Sequence, residues 1–168
     1  GTAVADERSL ARDVAKACNA EMVDVAISGE DFWNNLPAIV AAMDDPVADY
    51  AIIPTWLLAK AARRQGFKVV LSGEGGDEIF AGYGRYRAAL RPWPFKKPLR
   101  SRGVFDGLGL LNPDIASDPK DWRKTLLKNE QDLGGRPLTP LQRLQALDCR
   151  DWLPHDLLIK LDRCLMAH

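Results

Sequence analysis

The residues of this chain best suited to chemistry lie in one run, Ser72-Gly73-Glu74-Gly75-Gly76-Asp77-Glu78-Ile79-Phe80-Ala81-Gly82-Tyr83. Three glycines near its start let the backbone approach a ligand closely. Their N–H groups, with a helix beginning near Asp77, offer donors suited to phosphate oxygens. Three carboxylates, Glu74, Asp77 and Glu78, share the loop and would repel phosphate unless a hard cation lay between them. Mg²⁺ is held in this way, by one or two carboxylates plus phosphates and water, and Asp77 is the candidate ligand. The run contains neither GxxxxGK[ST] nor GxGxxG, so it is not a Walker or Rossmann loop. On these residues alone two readings stand side by side: a phosphate and metal site, and a structural turn whose acids cap a helix.

A loop of this kind needs elements to hold it. Phe67 to Leu71, just before it, holds the apolar run Val69-Val70-Leu71 and reads as a strand buried on both faces of a parallel sheet, whose carboxyl ends are where such sheets bind ligands. Upstream, Leu10, Val14 and Ala17 recur at helical spacing within a helix from Asp6 to Ala20, started by the acids Asp6 and Glu7. Met22 to Ile27 alternates as a short strand. Ser28 caps a helix running through Asp44, broken or restarted at Pro37, with Phe32, Leu36, Ile39 and Val40 on one face. A third helix has Pro54 in its first turn, Ile53, Leu57 and Ala61 on a shared face, and Gly66 as its left-handed stop. Helix and strand alternate, which predicts an α/β layer with right-handed crossovers over residues 1–86. Residues 87–120, with Pro92, Pro94, Pro98 and Pro113, read as an irregular connection. Helical periodicity returns in 121–168, over Asp121–Asn129, Thr139–Trp152 and Pro154–Ala167.

The bulk properties exclude several classes. Of 168 residues, 46% are hydrophobic and 27% charged, the balance of a globular domain, and no apolar run approaches the roughly 20 residues of a membrane span. Lys and Arg number 23, as do Asp and Glu, so the net charge of zero gives no general attraction to nucleic acid or anionic membrane. Cys18, Cys149 and Cys164 are odd in number and form no CxxC pair, which suits buried structural thiols in a reducing cytoplasm. No basic segment followed by an apolar stretch opens the sequence, so no secretory signal is expected.

The string from Ile53 through Gly66 to SGEGGDEIFAGYGRYR resembles the glutamine-hydrolysing asparagine synthetase family, in which a helix, a buried strand and an SGEGxDE loop followed by F-x-G-Y occur in this order. Asp6 to Ala20 resembles its D-E-x-x-A-x-x-V-A helix. Leu153 to His168 resembles its L-P-x-D-L-L-x-K-x-D-R-x-x-M-A-H segment, so the match extends over most of the chain. The resemblance implies a single, truncated synthetase domain over 1–168: a partial parallel-sheet layer of the PP-loop ATP pyrophosphatase, or adenine nucleotide alpha hydrolase-like, type with a mainly helical second half. It implies ATP-dependent amidation of aspartate through β-aspartyl-AMP, with ammonia from a glutaminase domain of the same parent chain. At matching positions, Ser72 and Gly73 would contact the nucleotide, Gly75 and Gly76 would supply a backbone cradle, Glu74 would lie at the acyl-adenylate, and Asp77 would bind Mg²⁺. Asp148 aligns with an acid that pairs with a catalytic lysine lying beyond His168. Asp162 and Arg163 match the D-R pair, with an ion pair near the site as the default.

The family's S-G-G-x-D-S pyrophosphate loop belongs upstream of Asp6, and its G-x-E-x-R-x-P-F-L-D segment belongs after His168. The glutaminase nucleophile, an N-terminal cysteine, has no counterpart at Gly1. The chain is therefore expected to be an internal piece of a longer enzyme, inactive alone. Lacking a first strand, it is expected to expose a sheet edge and to self-associate as dimers or aggregates, which light scattering at high concentration reads as mass above the monomer. Met22-Val23 stands where members often carry histidines, and Asp45 where a D-E-P triplet has glutamate, so the acceptor carboxylate stays open. The rival enzyme is an acyl-adenylate-forming relative that makes a β-lactam or modifies a precursor. Glu74 favours the asparagine branch, because β-lactam-forming relatives carry tyrosine there. A noncatalytic interaction module that kept the fold is the rival from another class.

Arg85, Arg87, Arg91, Lys96, Lys97, Arg100 and Arg102 form a basic stretch containing Trp93 and Phe95. With zero net charge and three prolines in it, the stretch reads as a solvated connection and not a nucleic-acid surface. Trp33, Trp56, Trp122 and Trp152 sit in helical patterns as core or interface anchors. His155, at a helix start, reads as a surface or capping residue.

Overall fold

The computed structural model describes residues 8–44, 49–99, 109 and 121–168, with side chains from residue 124 onward in the last stretch. Asp6, Glu7, Asp45, Arg100, Arg102, most of the 87–120 connection and the side chain of Trp122 lie outside the described residues. The helices are α1 (Arg8–Ala17), α2 (Gly29–Ala42), α3 (Ile52–Arg64), α4 (Gly76–Phe80), α5 (Gly84–Ala89), α6 (Asp121–Asp132), α7 (Pro140–Arg150) and α8 (Ile159–Met166), with a π-helical turn (Leu153–Leu158) leading directly into α8. No helix among the described residues is long and apolar enough to cross a membrane.

Local chemistry sets most boundaries. Ser28 and Asp31 form a reciprocal capping box at the start of α2: the Ser28 hydroxyl accepts from the Asp31 N–H at 3.1 Å, and the Asp31 carboxylate accepts from the Ser28 N–H at 2.9 Å. Contrary to the expected break, α2 runs unbroken through Pro37 and ends at Ala42. A proline forfeits one backbone hydrogen bond, and the packing of Ile39 and Met43 against α3 and α8 outweighs that loss. α3 holds Pro54 in its first turn and stops at Gly66, whose φ of +82° is left-handed. The Gly66 N–H then donates to the Arg63 carbonyl and the Phe67 N–H to the Ala62 carbonyl, satisfying the helix end.

Two apolar cores result. The first joins Ile39, Met43, Ile52, Ile53, Trp56 and Cys164, so α8 closes against α2 and α3. The second joins Tyr86, Leu99, Leu126, Leu133 and Leu147 from α5, α6, α7 and the turn after α5. Trp56 is the anchor expected of it, whereas Trp33 is 69% exposed. α1 forms as expected, but Leu10 and Val14 of its apolar stripe are exposed. Of the thiols expected to be buried, only Cys164 is; Cys18 and Cys149 are exposed, Cys18 just after a helix with no buried residue.

The sheet does not form among the described residues. Met22–Ile27 and Phe67–Leu71, read as strands, carry no ladder. Val69 and Leu71 are 80% and 98% exposed, the reverse of the burial that their apolar run suggests. A strand takes its hydrogen bonds and burial from neighbouring strands. Here the two segments lie against α3, where Val23, Val25, Phe67 and Val69 border a cavity of about 420 Å³ with Leu58 and Ala62. The helical half of the expected α/β layer is present and the parallel half is unpaired.

Candidate functional site

The glycine-rich loop leaves Leu71 and turns at once into α4. Left-handed residues bracket that helix, Gly75 at φ +89° before it and Ala81 at φ +59° after it. Gly75 meets the requirement without strain, whereas Ala81 carries a Cβ in that region at a cost of roughly 1–2 kcal/mol. The Gly76 N–H donates to the Gly73 carbonyl at 3.1 Å and closes the turn. Beneath it the π-helical turn supplies Leu153, whose methyl carbons lie 3.7 Å from where a Cβ of residue 75 would stand. Ser72, Gly73 and Glu74 form the lip of a cavity of about 580 Å³. Thr55, Leu58 and Ala59 of α3 and Leu161 and Leu165 of α8 form its largely apolar floor, a size and lining typical of small-molecule sites.

The three loop carboxylates have three different fates. Glu74 faces the cavity. Asp77 is exposed in the first turn of α4, and its carboxylate folds back over Gly82, so closely that a Cβ at residue 82 would collide with it. The Gly82 N–H also donates to the Asp77 carbonyl at 3.0 Å, fixing the pair. Glu78 is fully buried, and its Oε1 accepts from the Tyr83 hydroxyl at 2.7 Å. Burial first, then that hydrogen bond, pushes the Tyr83 phenol up to about 12. The Gln145 amide of α7 donates to the carbonyls of Glu78 and Ile79 at 2.9 and 2.6 Å, so α4 is stapled to α7 from below. Glu78 thus anchors the loop and does not reach the cavity.

Asp148 of α7 is fully buried and accepts from Arg85 at 2.8 Å through Nη2 and 3.2 Å through Nε. Both bonds are charge-assisted. The guanidinium lies 3.6 Å from the Tyr83 ring centroid and 5.4 Å from that of Trp152, a cation–π stack that holds it in place. Burial first, then the neighbouring Asp148 carboxylate, raises the Tyr86 phenol beside this pair. Asp148 is not among the residues lining the cavity at Ser72–Glu74. Arg85, counted in the basic stretch, is turned into this cluster, while Trp93 and Phe95 stay 89% and 68% exposed. Arg163 pairs with Asp44 at 2.6 Å, both largely exposed, a contact of little energetic weight.

One charged residue has no role in the reading of the sequence, where it stands only as the lysine of the L-P-x-D-L-L-x-K segment. Lys160 of α8 is 2% exposed; its Nζ lies 2.6 Å from Asp49 Oδ2 and 3.6 Å from Glu74 Oε1. Burial pulls its ammonium pKa down, but the hydrogen bond and charge of Asp49, with Glu74 and Asp156, outweigh that effect and raise it above the ordinary lysine value. The signal was present: Leu157, Lys160 and Cys164 form a buried stripe at i, i+3 and i+7, with a lysine at a core position.

The chain matches the asparagine synthase family model over residues 2–168. It is 30% identical to a glutamine-hydrolysing asparagine synthetase of Bacillus subtilis (strain 168), with 96% of this chain and 31% of that protein covered. A Mycobacterium bovis protein provisionally given the same name is 31% identical over 92% of this chain and 29% of its own length. A Penicillium rubens protein named amidase chyE is 36% identical over 54% of this chain and 13% of its own. The chain therefore spans less than a third of the length of these relatives. No solved structure matches it at a significant level.

Proposed function

Because this chain belongs to the asparagine synthase family, we propose that it supplies part of the nucleotide and acyl-adenylate site of a carbon–nitrogen ligase that makes asparagine in the cytoplasm. In this reading the side-chain carboxylate of aspartate attacks the α-phosphorus of ATP and pyrophosphate leaves. Ammonia, freed from glutamine by a glutaminase domain of the full-length protein, then displaces AMP from β-aspartyl-AMP. The observation that carries the reading is that Ser72, Gly73 and Glu74 share the lip of one cavity of ligand size.

Each residue has a role there. Ser72 and Gly73 bind the nucleotide, and Gly75 and Gly76 let the backbone approach it. Glu74 faces the reacting acyl group from the cavity lip. Asp77, whose exposed carboxylate lies over Gly82, would ligate Mg²⁺. Among the described residues no three His, Cys, Asp or Glu side chains could together hold an ion; in this reading Asp77 would hold Mg²⁺ with phosphate oxygens and water completing its shell. When bound, that ion offsets charge on the phosphates and the leaving pyrophosphate. Asp148 supports the loop from behind through Arg85, and its pairing with a lysine farther along the chain belongs to the full-length protein.

ATP–pyrophosphate exchange, run on the full-length protein with aspartate and Mg²⁺, tests the reading. Exchange is expected to need aspartate, to fall by roughly 100-fold or more in Glu74→Ala and Asp77→Ala, and to be absent from residues 1–168 alone. Exchange driven by another carboxylate would move the acceptor; no exchange with any carboxylate would remove the ligase reading.

A further inference from the structure

We propose that Lys160 is the positioning residue for Glu74, orienting the carboxylate at the cavity lip. The inference rests on the reading that Glu74 faces the reacting acyl group.

Three observations lead to it. A buried ammonium is costly unless it is paired, and Lys160, 2% exposed, sits where the stripe of α8 otherwise places Leu157 and Cys164. Its site has therefore been kept polar inside an apolar core. Second, one of its partners is locked: Asp49 Oδ1 accepts from the Ala51 N–H at 2.9 Å at the start of α3, while Oδ2 accepts from Lys160 at 2.6 Å. Asp49 holds the ammonium by a hydrogen bond, and the Glu74 carboxylate pairs with the same charge at 3.6 Å, with Asp156 adding to the field. Third, among the described residues Lys160 is the cation that meets the Glu74 carboxylate. The Glu74 side chain is 26% exposed, and the loop on either side consists of glycines.

Asp49 and Glu74 thus stand in different relations to the same ammonium. Asp49 secures Lys160 to α3, and Lys160 carries that rigidity to Glu74 across the base of the loop. A carboxylate at the mouth of a phosphate site would otherwise swing away from the incoming charge. A purely structural ion pair would need only the Asp49 half.

The difference is measurable in the full-length protein. Lys160→Met is expected to lower kcat for aspartate-dependent exchange by about 10–100-fold, with calorimetric ATP binding in the absence of aspartate kept within about two-fold. Lys160→Arg is expected to recover part of the rate. Removing the stranded Asp49 charge in Lys160→Met/Asp49→Asn is expected to restore the melting temperature but not kcat, and this variant also carries the test if Lys160→Met alone folds poorly. Glu74→Ala combined with Lys160→Met is expected to be no slower than Glu74→Ala, because both remove one unit. Recovery of kcat along with the melting temperature, or fully additive rate losses, would overturn the proposal. If Glu74→Ala loses exchange while Lys160→Met keeps it, this inference alone fails; if Glu74→Ala keeps exchange, the reading of the site fails first.

Discussion

Replacing Arg85 with methionine is expected to cost about 3–5 kcal/mol of folding stability, because it removes the cation paired with a fully buried carboxylate. Asp148 is 0% exposed, so water cannot reach it to compensate. The opposite change is milder. Asp148→Asn leaves Arg85 27% exposed and still stacked on Tyr83, and the expected loss is about 1–3 kcal/mol. The double substitution, with neither charge left, should recover most of the loss. Urea and thermal unfolding followed by tryptophan fluorescence read all three. An Arg85→Met protein as stable as wild type would mean that Asp148 is not held by this pair. The double variant also separates two roles for Asp148: stable yet inactive, it would point to a contribution to the reaction beyond holding α5 to α7.

Gly82→Ala should have the second large effect. The added methyl enters the space that the Asp77 carboxylate occupies, and the backbone of Asp77 lies 3.3 Å from it, so the side chain must leave its position. If Asp77 ligates Mg²⁺, the apparent Mg²⁺ affinity in the exchange reaction should fall about 10–100-fold, the usual cost of disturbing a residue that orients a metal ligand. A Mg²⁺ titration that overlays wild type would show that Asp77 does not hold the ion. A change in melting temperature without a change in the titration would leave Gly82 a steric role alone.

Local chemistry in this chain is written locally. Ser28 and Asp31 announce the start of α2, Pro54 and Gly66 bound α3, and the structure follows them to within a residue or two. The SGEGGDE loop could be recognised because its glycines and acids are contiguous. The segment Val69–Leu71 misled for the opposite reason: an apolar run specifies a wish for neighbours, and among the described residues no strand lies beside it. Pro37 misled because its cost is local while the packing of Ile39 and Met43 that overrides it is not. The carboxylates were all visible, yet their assignments depended on partners far away. Arg85 meets Asp148 across 63 positions and Lys160 meets Asp49 across 111, distances over which spacing carries no information. Lys160 alone left a trace, as a charge in an apolar stripe.

The closing of the first core by α8 has a consequence for biosynthesis. Ile52 and Cys164 meet across 112 positions, so the apolar faces of α2 and α3 leave the ribosome well before their cover does. At about 5–20 residues per second that interval is on the order of ten seconds, far longer than the microseconds in which a helix forms. For that time Trp56, Ile39 and Ile53 lack the cover that α8 later gives them, so the nascent chain is more prone to non-native apolar contacts than the finished one.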